Sequence, residues 1–316
     1  MNTSVKKIIK IGLPLILGGF LVWYSLSKIS IETLVQYFKD ANYGWIALGL
    51  FFGVLSHLSR AYRWKYLLEP MGYKPDFGNS TMAVLVAYLV NYAVPRAGEV
   101  SRAAVMTNYE NIPFEKGFGT IVAERMADLI MMLSIIAITL FVQFDFIFEL
   151  LTKNFDPIKI GILLGSLVLV FVVFTRYVKK AKSGIGLKIK KFVVGLIEGV
   201  TSIFKMKHKW AFIFHTVFIW LMYVLMFWAT IPAIDGLHVP LGGVLIGFIA
   251  GGFAIAATNG GIGLYPVAVA GALALFGIAE EPATAFGWIM WTAQTLMIIV
   301  FGGLAFLLLP IYNKNK

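Results

Sequence analysis

Asn91-Tyr92-Ala93-Val94-Pro95-Arg96-Ala97-Gly98-Glu99-Val100-Ser101-Arg102 separates two apolar runs, 80–92 and 103–106. Pro95 and Gly98 interrupt a helix. Arg96, Glu99 and Arg102 are costly to place in lipid. In a strongly apolar chain, charges beside a helix break at membrane depth mark a pathway or a binding site. The plainer reading is a short cytoplasmic loop whose charges face water. Topology decides between the two.

Of the 316 residues, 59% are hydrophobic and 14% are charged. A soluble domain is roughly 45–50% apolar and about 25% charged. Several uncharged apolar runs are long enough to cross about 30 Å of hydrocarbon. The composition therefore predicts an all-α polytopic integral membrane protein, a single domain over 1–316. The formal charge of +11 does not point to nucleic acid. The cations flank the apolar runs, as in cytoplasmic loops that face anionic lipid. The sequence has no cysteine, which excludes disulfides, thiolate metal sites and cysteine nucleophiles.

Lys6, Lys7 and Lys10 precede an apolar run from 11 to 26. This reads as a retained first helix with a cytoplasmic N-terminus. Residues 31–42 carry apolar side chains at helical spacing, predicting a short helix on the outer surface. A span over 43–59 ends in Arg60-Ala61-Tyr62-Arg63-Trp64-Lys65-Tyr66. Cations interleaved with aromatics read as an interfacial anchor, with Arg60, Arg63 and Trp64 in contact with lipid headgroups as the functional alternative. Past the break at 95–102, a span over 117–144 carries Glu124, Arg125 and Asp128 on nearly one helical face. Another span covers 158–174. The segment 176–209 holds ten Lys or Arg residues against Glu198 alone. Its apolar residues recur at steps of three and four, predicting a basic amphipathic helix on the cytoplasmic side. Spans over 210–230 and 283–309 bracket a Gly-rich segment broken by Asn259-Gly260-Gly261-Ile262-Gly263.

Basic loops at 60–75 and 176–209 lie inside by the positive-inside rule. The segment 80–112 must then leave the cytoplasmic face and return to it, and 240–278 must do the same from the outer face. The expected architecture is about six full spans plus two oppositely oriented re-entrant hairpins or short helix pairs, forming an inverted repeat. Its halves are 43–144 and 210–309, and both termini are cytoplasmic in the inner membrane. Arg96, Glu99, Arg102, Glu124, Arg125 and Asp128 sum to zero charge. They are expected to meet as a neutral, partly hydrated network. As structure, such a network pins a re-entrant loop. As function, Arg96 or Arg102 grips a phosphate through paired hydrogen bonds, while Glu99 or Glu124 balances charge or carries a proton. The Gly260, Gly261 and Gly263 break reads either as a tight packing turn or as backbone N–H groups aimed at an anion.

The pattern Asn91…Pro95-Arg96-Ala97-Gly98-Glu99…Arg102, then Glu124-Arg125…Asp128, then Gly260-Gly261-Ile262-Gly263, resembles the lysylphosphatidylglycerol synthase transmembrane region family. That family includes the flippase half of the multiple peptide resistance factor. The resemblance covers nearly the whole chain. It implies a polytopic membrane protein of a group linked to moving or modifying lipids. Two departures limit what it carries over. Leu264-Tyr265-Pro266 stands where family members often place a Glu. The soluble aminoacyl-transferring half is not within these 316 residues, so they are not expected to synthesise lysylphosphatidylglycerol.

The leading expectation is a lipid translocase, or flippase-like transporter, for an anionic or polyprenyl-linked lipid. No phosphate-binding Gly-x-x-x-x-Gly-Lys-Ser/Thr loop occurs, so movement would be downhill or driven by protons or membrane potential. His57, His208, His215 and His238 show no zinc spacing, and no Gly-x-Ser-x-Gly elbow occurs. An enzyme is not the expectation; a membrane-embedded transferase using Glu99 and Glu124 as acid and base is the lesser alternative. A lipid-binding accessory subunit of a separate lipid- or glycan-modifying enzyme is the other. No cofactor or metal is expected. The expected partners are membrane lipids, not nucleic acid.

Overall fold

The structure is a computed structural model that describes residues 17–94, 96–154, 156–180, 183–187, 189–190, 194, 203 and 205–314. These residues are helical or in turns, with no strand among them. Four helices are long and apolar enough to cross a membrane: Tyr43–Met71, Phe114–Val142, Lys209–Ala233 and Glu280–Tyr312. About six were expected. The first expected span is described only from Leu17, as helix α1 (Leu17–Leu26). Most of the basic amphipathic helix expected over 176–209 lies outside the described residues, as does Pro95.

Chain contacts divide the protein into two compact units. The first comprises Met1–Glu124 and Trp210–Lys316, the second Arg125–Lys209. In the first unit, α2 (Ile31–Asp40) begins at Ser30, whose side chain accepts the Thr33 N–H. As expected, α2 is amphipathic: Leu34, Tyr37 and Phe38 pack on the core, and Ile31 and Val35 are exposed. Helix α3 (Tyr43–Leu68) is capped by Asn42 and runs for 26 residues, about 39 Å at ~1.5 Å per residue. It does not stop at Arg60. Its buried residues step Gly53, Ser56, Arg60, Arg63, Trp64 and Leu67, one continuous inward stripe of three- and four-residue steps.

Helix α4 (Phe77–Ala93), capped by Asp76, and α5 (Gly98–Glu110) pack against each other across a short break. The break is shorter than the sequence pattern predicted, because α5 already starts at Gly98. Glu99 and Arg102 therefore sit on a helix rather than in a loop. Asn91 explains the geometry: its Oδ1 accepts the Gly98 N–H at 2.8 Å, tying the arms together. A side chain at Gly98 would overlap the Ala87 carbonyl and the Asn91 amide. Arg96 turns the corner at φ 60°, a left-handed conformation that a non-glycine residue adopts with strain.

Helix α6 (Phe114–Val142) contributes its first turns to this unit. In the second unit its remainder is followed by α7 (Phe144–Asn154), which packs on α8 (Pro157–Lys180). The first unit resumes with α9 (Lys209–Thr230), α10 (Leu241–Ala257), α11 (Leu264–Ala274) and α12 (Glu280–Tyr312). Its core gathers Phe227, Val269, Leu273, Phe286 and Ile289, with Phe227 and Phe286 edge-to-face at 5.1 Å. Small residues let these helices approach: a Cβ on Gly287 would sit 2.6 Å from Pro266 Cα, and one on Gly302 would sit 2.9 Å from the Leu85 carbonyl oxygen. Lipid tails give no hydrophobic drive between helices, so such close packing is what holds them together.

The end of α12 closes onto the start of α4. Asn79 and Asn313 exchange amide hydrogen bonds at 2.7 and 2.8 Å, and Asn79 Nδ2 also donates to Glu110 at 2.6 Å. Tyr312 donates to Asp76 at 3.0 Å.

Candidate functional site: a buried arginine cluster

Three helices bring charge into the interior of the first unit. Arg60 and Arg63 come from α3, Arg102 from α5 and Glu124 from α6. Arg63 and Glu124 are 0% exposed, and Arg60 and Arg102 are 2% exposed. Glu124 bridges two of the arginines: Arg102 Nη1 lies 2.5 Å from Oε2, and Arg63 Nη2 lies 3.5 Å from Oε1. Arg60, one turn before Arg63, adds its charge to the field at Glu124. Arg63 also donates to Thr216 on α9 at 2.9 Å. The guanidinium of Arg102 lies 3.7 Å above the Trp64 ring, while Trp64 Nε1 donates to Thr120 at 2.8 Å. An arginine over an indole face gains from the ring's negative potential, most of all where water is excluded.

This placement corrects two expectations. Arg60, Arg63 and Trp64 are not interfacial anchors: α3 continues through them, and they face the interior. Of the six charges expected to meet, Arg102 and Glu124 do so, and Arg96 does not. Arg96 sits exposed on the turn, because α5 begins two residues later. Within the second unit, Arg125 pairs with Asp128 three residues on, at 3.3 Å. Arg63 joins Arg102 at Glu124, and Arg60 lies close enough to act on it. Glu99 on α5 is partly buried, and Asp128 on α6 is buried. Buried charge is tolerated where it is paired and hydrogen-bonded. Guanidinium forks match phosphate and carboxylate in paired hydrogen bonds.

The second break behaves differently. Gly260, Gly261 and Gly263 have φ of 65°, 82° and 69°, a region glycine enters without a Cβ penalty. Trp291 Nε1 donates to the Gly260 carbonyl at 2.8 Å, and Asn259 offers its carbonyl to Ile262 N–H at 3.5 Å. A Cβ on Gly260 would meet the Tyr92 ring at 2.5 Å, so this break lies against the last turn of α4. The α10–α11 turn thus packs next to the α4–α5 hairpin. Among the described residues no group of His, Asp or Glu side chains is arranged to hold a metal.

Sequence reasoning identified Arg102 and Glu124 and missed Arg63, Trp64, Thr120 and Thr216 as their partners. The signal for α3 was present, because its apolar three- and four-residue steps run unbroken through Arg60 and Arg63. Nothing in the sequence pattern marks Thr216.

A family model for the lysylphosphatidylglycerol synthase TM region matches residues 11–303. The chain belongs to that family. Two curated relatives match in part. A UPF0104 membrane protein of Methanocaldococcus jannaschii is 26% identical over 125 residues, 39% of this chain and 37% of the relative. Glycosyltransferase AglD of Haloferax volcanii is 30% identical over 103 residues, 32% of this chain and 16% of that protein. The chain thus matches well under half the length of either relative. No solved structure matches. This member of the lysylphosphatidylglycerol synthase TM region family is a multi-pass, all-helical membrane protein whose interior holds a cluster of arginines around one glutamate.

Proposed function

We propose that this family member is a translocase, flippase-like in action, for an anionic or polyprenyl-linked lipid of the cytoplasmic membrane. One observation carries the reading: Arg60, Arg63 and Arg102 surround Glu124 inside a membrane protein. An ionised side chain at the bilayer centre costs about 2.5–3.5 kcal/mol on insertion scales, and such residues mark substrate or ion pathways. Guanidinium groups at that depth suit the phosphate of a lipid headgroup passing through. Glu124 keeps the cluster assembled when no anion is present. The reading assigns this chain no bond-making step.

The finer architecture belongs to the same proposal. We read α4–α5 and α10–α11 as two re-entrant pairs entering from opposite faces. The first is flanked by α3 and α6, the second by α9 and α12, as in inverted-repeat transporters. At 17, 13, 17 and 11 residues, each arm is shorter than the ~20 residues that cross a bilayer. Contact of Gly260 with Tyr92 supports the two breaks meeting in the interior. Both termini are cytoplasmic in this reading. Because the sequence has no cysteine, Ala97→Cys gives a clean test of orientation: labelling by an impermeant reagent from the outer face would sink the inverted arrangement.

The function is tested by the movement of labelled anionic phospholipid between leaflets of liposomes carrying the purified protein. Arg102→Gln and Arg63→Gln are run in parallel, each checked for folding. Acceleration by the native chain, lost in folded variants, supports the translocase. Movement at the protein-free rate across anionic lipid classes refutes it. The alternative is a lipid-binding accessory to a separate lipid- or glycan-modifying enzyme. It is favoured by the 30% identity to part of a protein named a glycosyltransferase, and it predicts binding without movement.

A further inference from the structure

One turn from Arg60 on α3, His57 is 6% exposed, and its Nδ1 is buried with no hydrogen-bond partner among the described residues. Its ring lies 4.6 Å from Tyr88 of α4 and 6.2 Å from Tyr223 of α9, centroid to centroid. The hydroxyls of Tyr88 and Tyr223 are 3.3 Å apart. Trp220, three residues before Tyr223 on α9, has its ring 6.1 Å from that of Tyr223, and its Nε1 is buried with no hydrogen-bond partner among the described residues. Two orphaned polar atoms therefore belong to rings that adjoin one tyrosine pair. Leaving a buried donor or acceptor unmade is costly, and in a membrane interior water does not routinely satisfy it. Native proteins keep few such atoms, and each calls for an explanation.

The groups are an acceptor or donor nitrogen, two hydroxyls and one N–H donor, held among aromatic faces. They offer hydrogen bonds in both directions to a group that is itself hydroxylated, and flat rings for its C–H faces. The neighbouring arginines offer charge. Resting on the anionic-lipid reading above, we infer that His57, Tyr88, Tyr223 and Trp220 form a second subsite. It receives a polyol or sugar hydroxyl carried on the phosphate that the arginine cluster binds. The arginines then select for the phosphate and the aromatic subsite for what is esterified to it. The same chemistry would fit a lipid headgroup or a soluble phosphate ester.

The test is native mass spectrometry of the purified full chain, titrated separately with phosphatidylglycerol and phosphatidic acid. Phosphatidic acid presents the phosphate without the added hydroxyls and with at least as much negative charge, so charge alone does not favour phosphatidylglycerol. The native chain is expected to hold phosphatidylglycerol about tenfold more tightly, the worth of one or two hydrogen bonds. Tyr223→Phe deletes one hydroxyl and little volume, Trp220→Phe removes the N–H with part of the ring, and His57→Phe removes the orphan nitrogen. Each is expected to lower phosphatidylglycerol affinity toward that of phosphatidic acid and to leave phosphatidic acid unchanged. Equal affinity of the native chain for both lipids overturns the inference while leaving the arginine site standing. An equal loss for both lipids in all three variants also overturns it, since that is the mark of a merely structural role. If neither lipid binds, or Arg102→Gln binds both as the native chain does, the arginine reading fails and the subsite fails with it. Competition by glycerol 1-phosphate with the same His57 dependence supports the subsite and assigns it to soluble esters.

Discussion

Replacing Glu124 by glutamine keeps the side chain's volume and removes its charge. In the native fold this carboxylate bridges Arg102 and Arg63, the latter at 3.5 Å. At an effective dielectric of about 20, a pair at that separation attracts by roughly 5 kcal/mol. Desolvation offsets part of this, and removing one partner of a buried ion pair costs about 3–5 kcal/mol. The cost here lies toward the upper end, because two arginines share the one carboxylate and Arg60 is close by. For a unit of this size the loss corresponds to a fall in melting temperature of roughly 6–20 °C. Tryptophan fluorescence during heating in detergent reads it directly. The same experiment carries a second readout. Glu124→Gln leaves the cluster with more positive charge, so added phosphatidic acid is expected to raise the variant's melting temperature by more than it raises the native one. A variant melting within about 1 °C of the native chain would falsify the bridging role. A large fall with no differential rescue would leave the pair structural and count against the anion site.

Trp64→Phe deletes the indole N–H that reaches Thr120 and weakens the surface under Arg102; a loss of about 1–2 kcal/mol is expected in thermal unfolding. Gly98→Ala sets a methyl against the Ala87 carbonyl, which is backbone and cannot swing away; a loss of about 1–3 kcal/mol is expected, and normal stability would show that the hairpin is looser than described. Arg96→Gly relieves a left-handed turn and is expected to stabilise by about 0.5–1 kcal/mol; a matching loss of lipid movement in that stabler variant would mark Arg96 as functional. Arg125→Gln breaks a pair between a part-exposed arginine and the buried Asp128, and its cost is expected to fall between that of a surface pair and that of Glu124→Gln, about 1–3 kcal/mol.

The membrane class, the two helix breaks and the approach of the first break's charges to the helix that carries Glu124 were legible in the sequence. Long uncharged runs, Pro and Gly punctuation and the cost of charge in lipid leave strong marks. Arg60, Arg63 and Trp64 were misplaced because a cation–aromatic cluster at the end of an apolar run has the same composition whether it faces headgroups or a buried carboxylate. Only the phase of α3 separates the two, and that phase had to be followed past Ser59. The extent of the first break was overestimated because Asn91 restores the hydrogen bonding of Gly98 across seven residues, which spacing alone does not reveal. Thr216 and Tyr223 belong to a helix distant in sequence from those whose residues they meet, and no local pattern anticipates such meetings.

The amide exchange between Asn79 and Asn313 also has a meaning in time. Its partners are 234 positions apart, and chains are made from the N-terminus at about 5–20 residues per second. The α4–α5 pair therefore leaves the ribosome some ten seconds or more before its fastening exists. During that interval Asn79, fully buried in the finished protein, relies on Glu110 alone of the two side chains that later hold it. Assembly of the first unit thus ends with its last described residues, and a chain stopped short of Asn313 would keep every helix of the arginine cluster yet lack the clasp that closes over them.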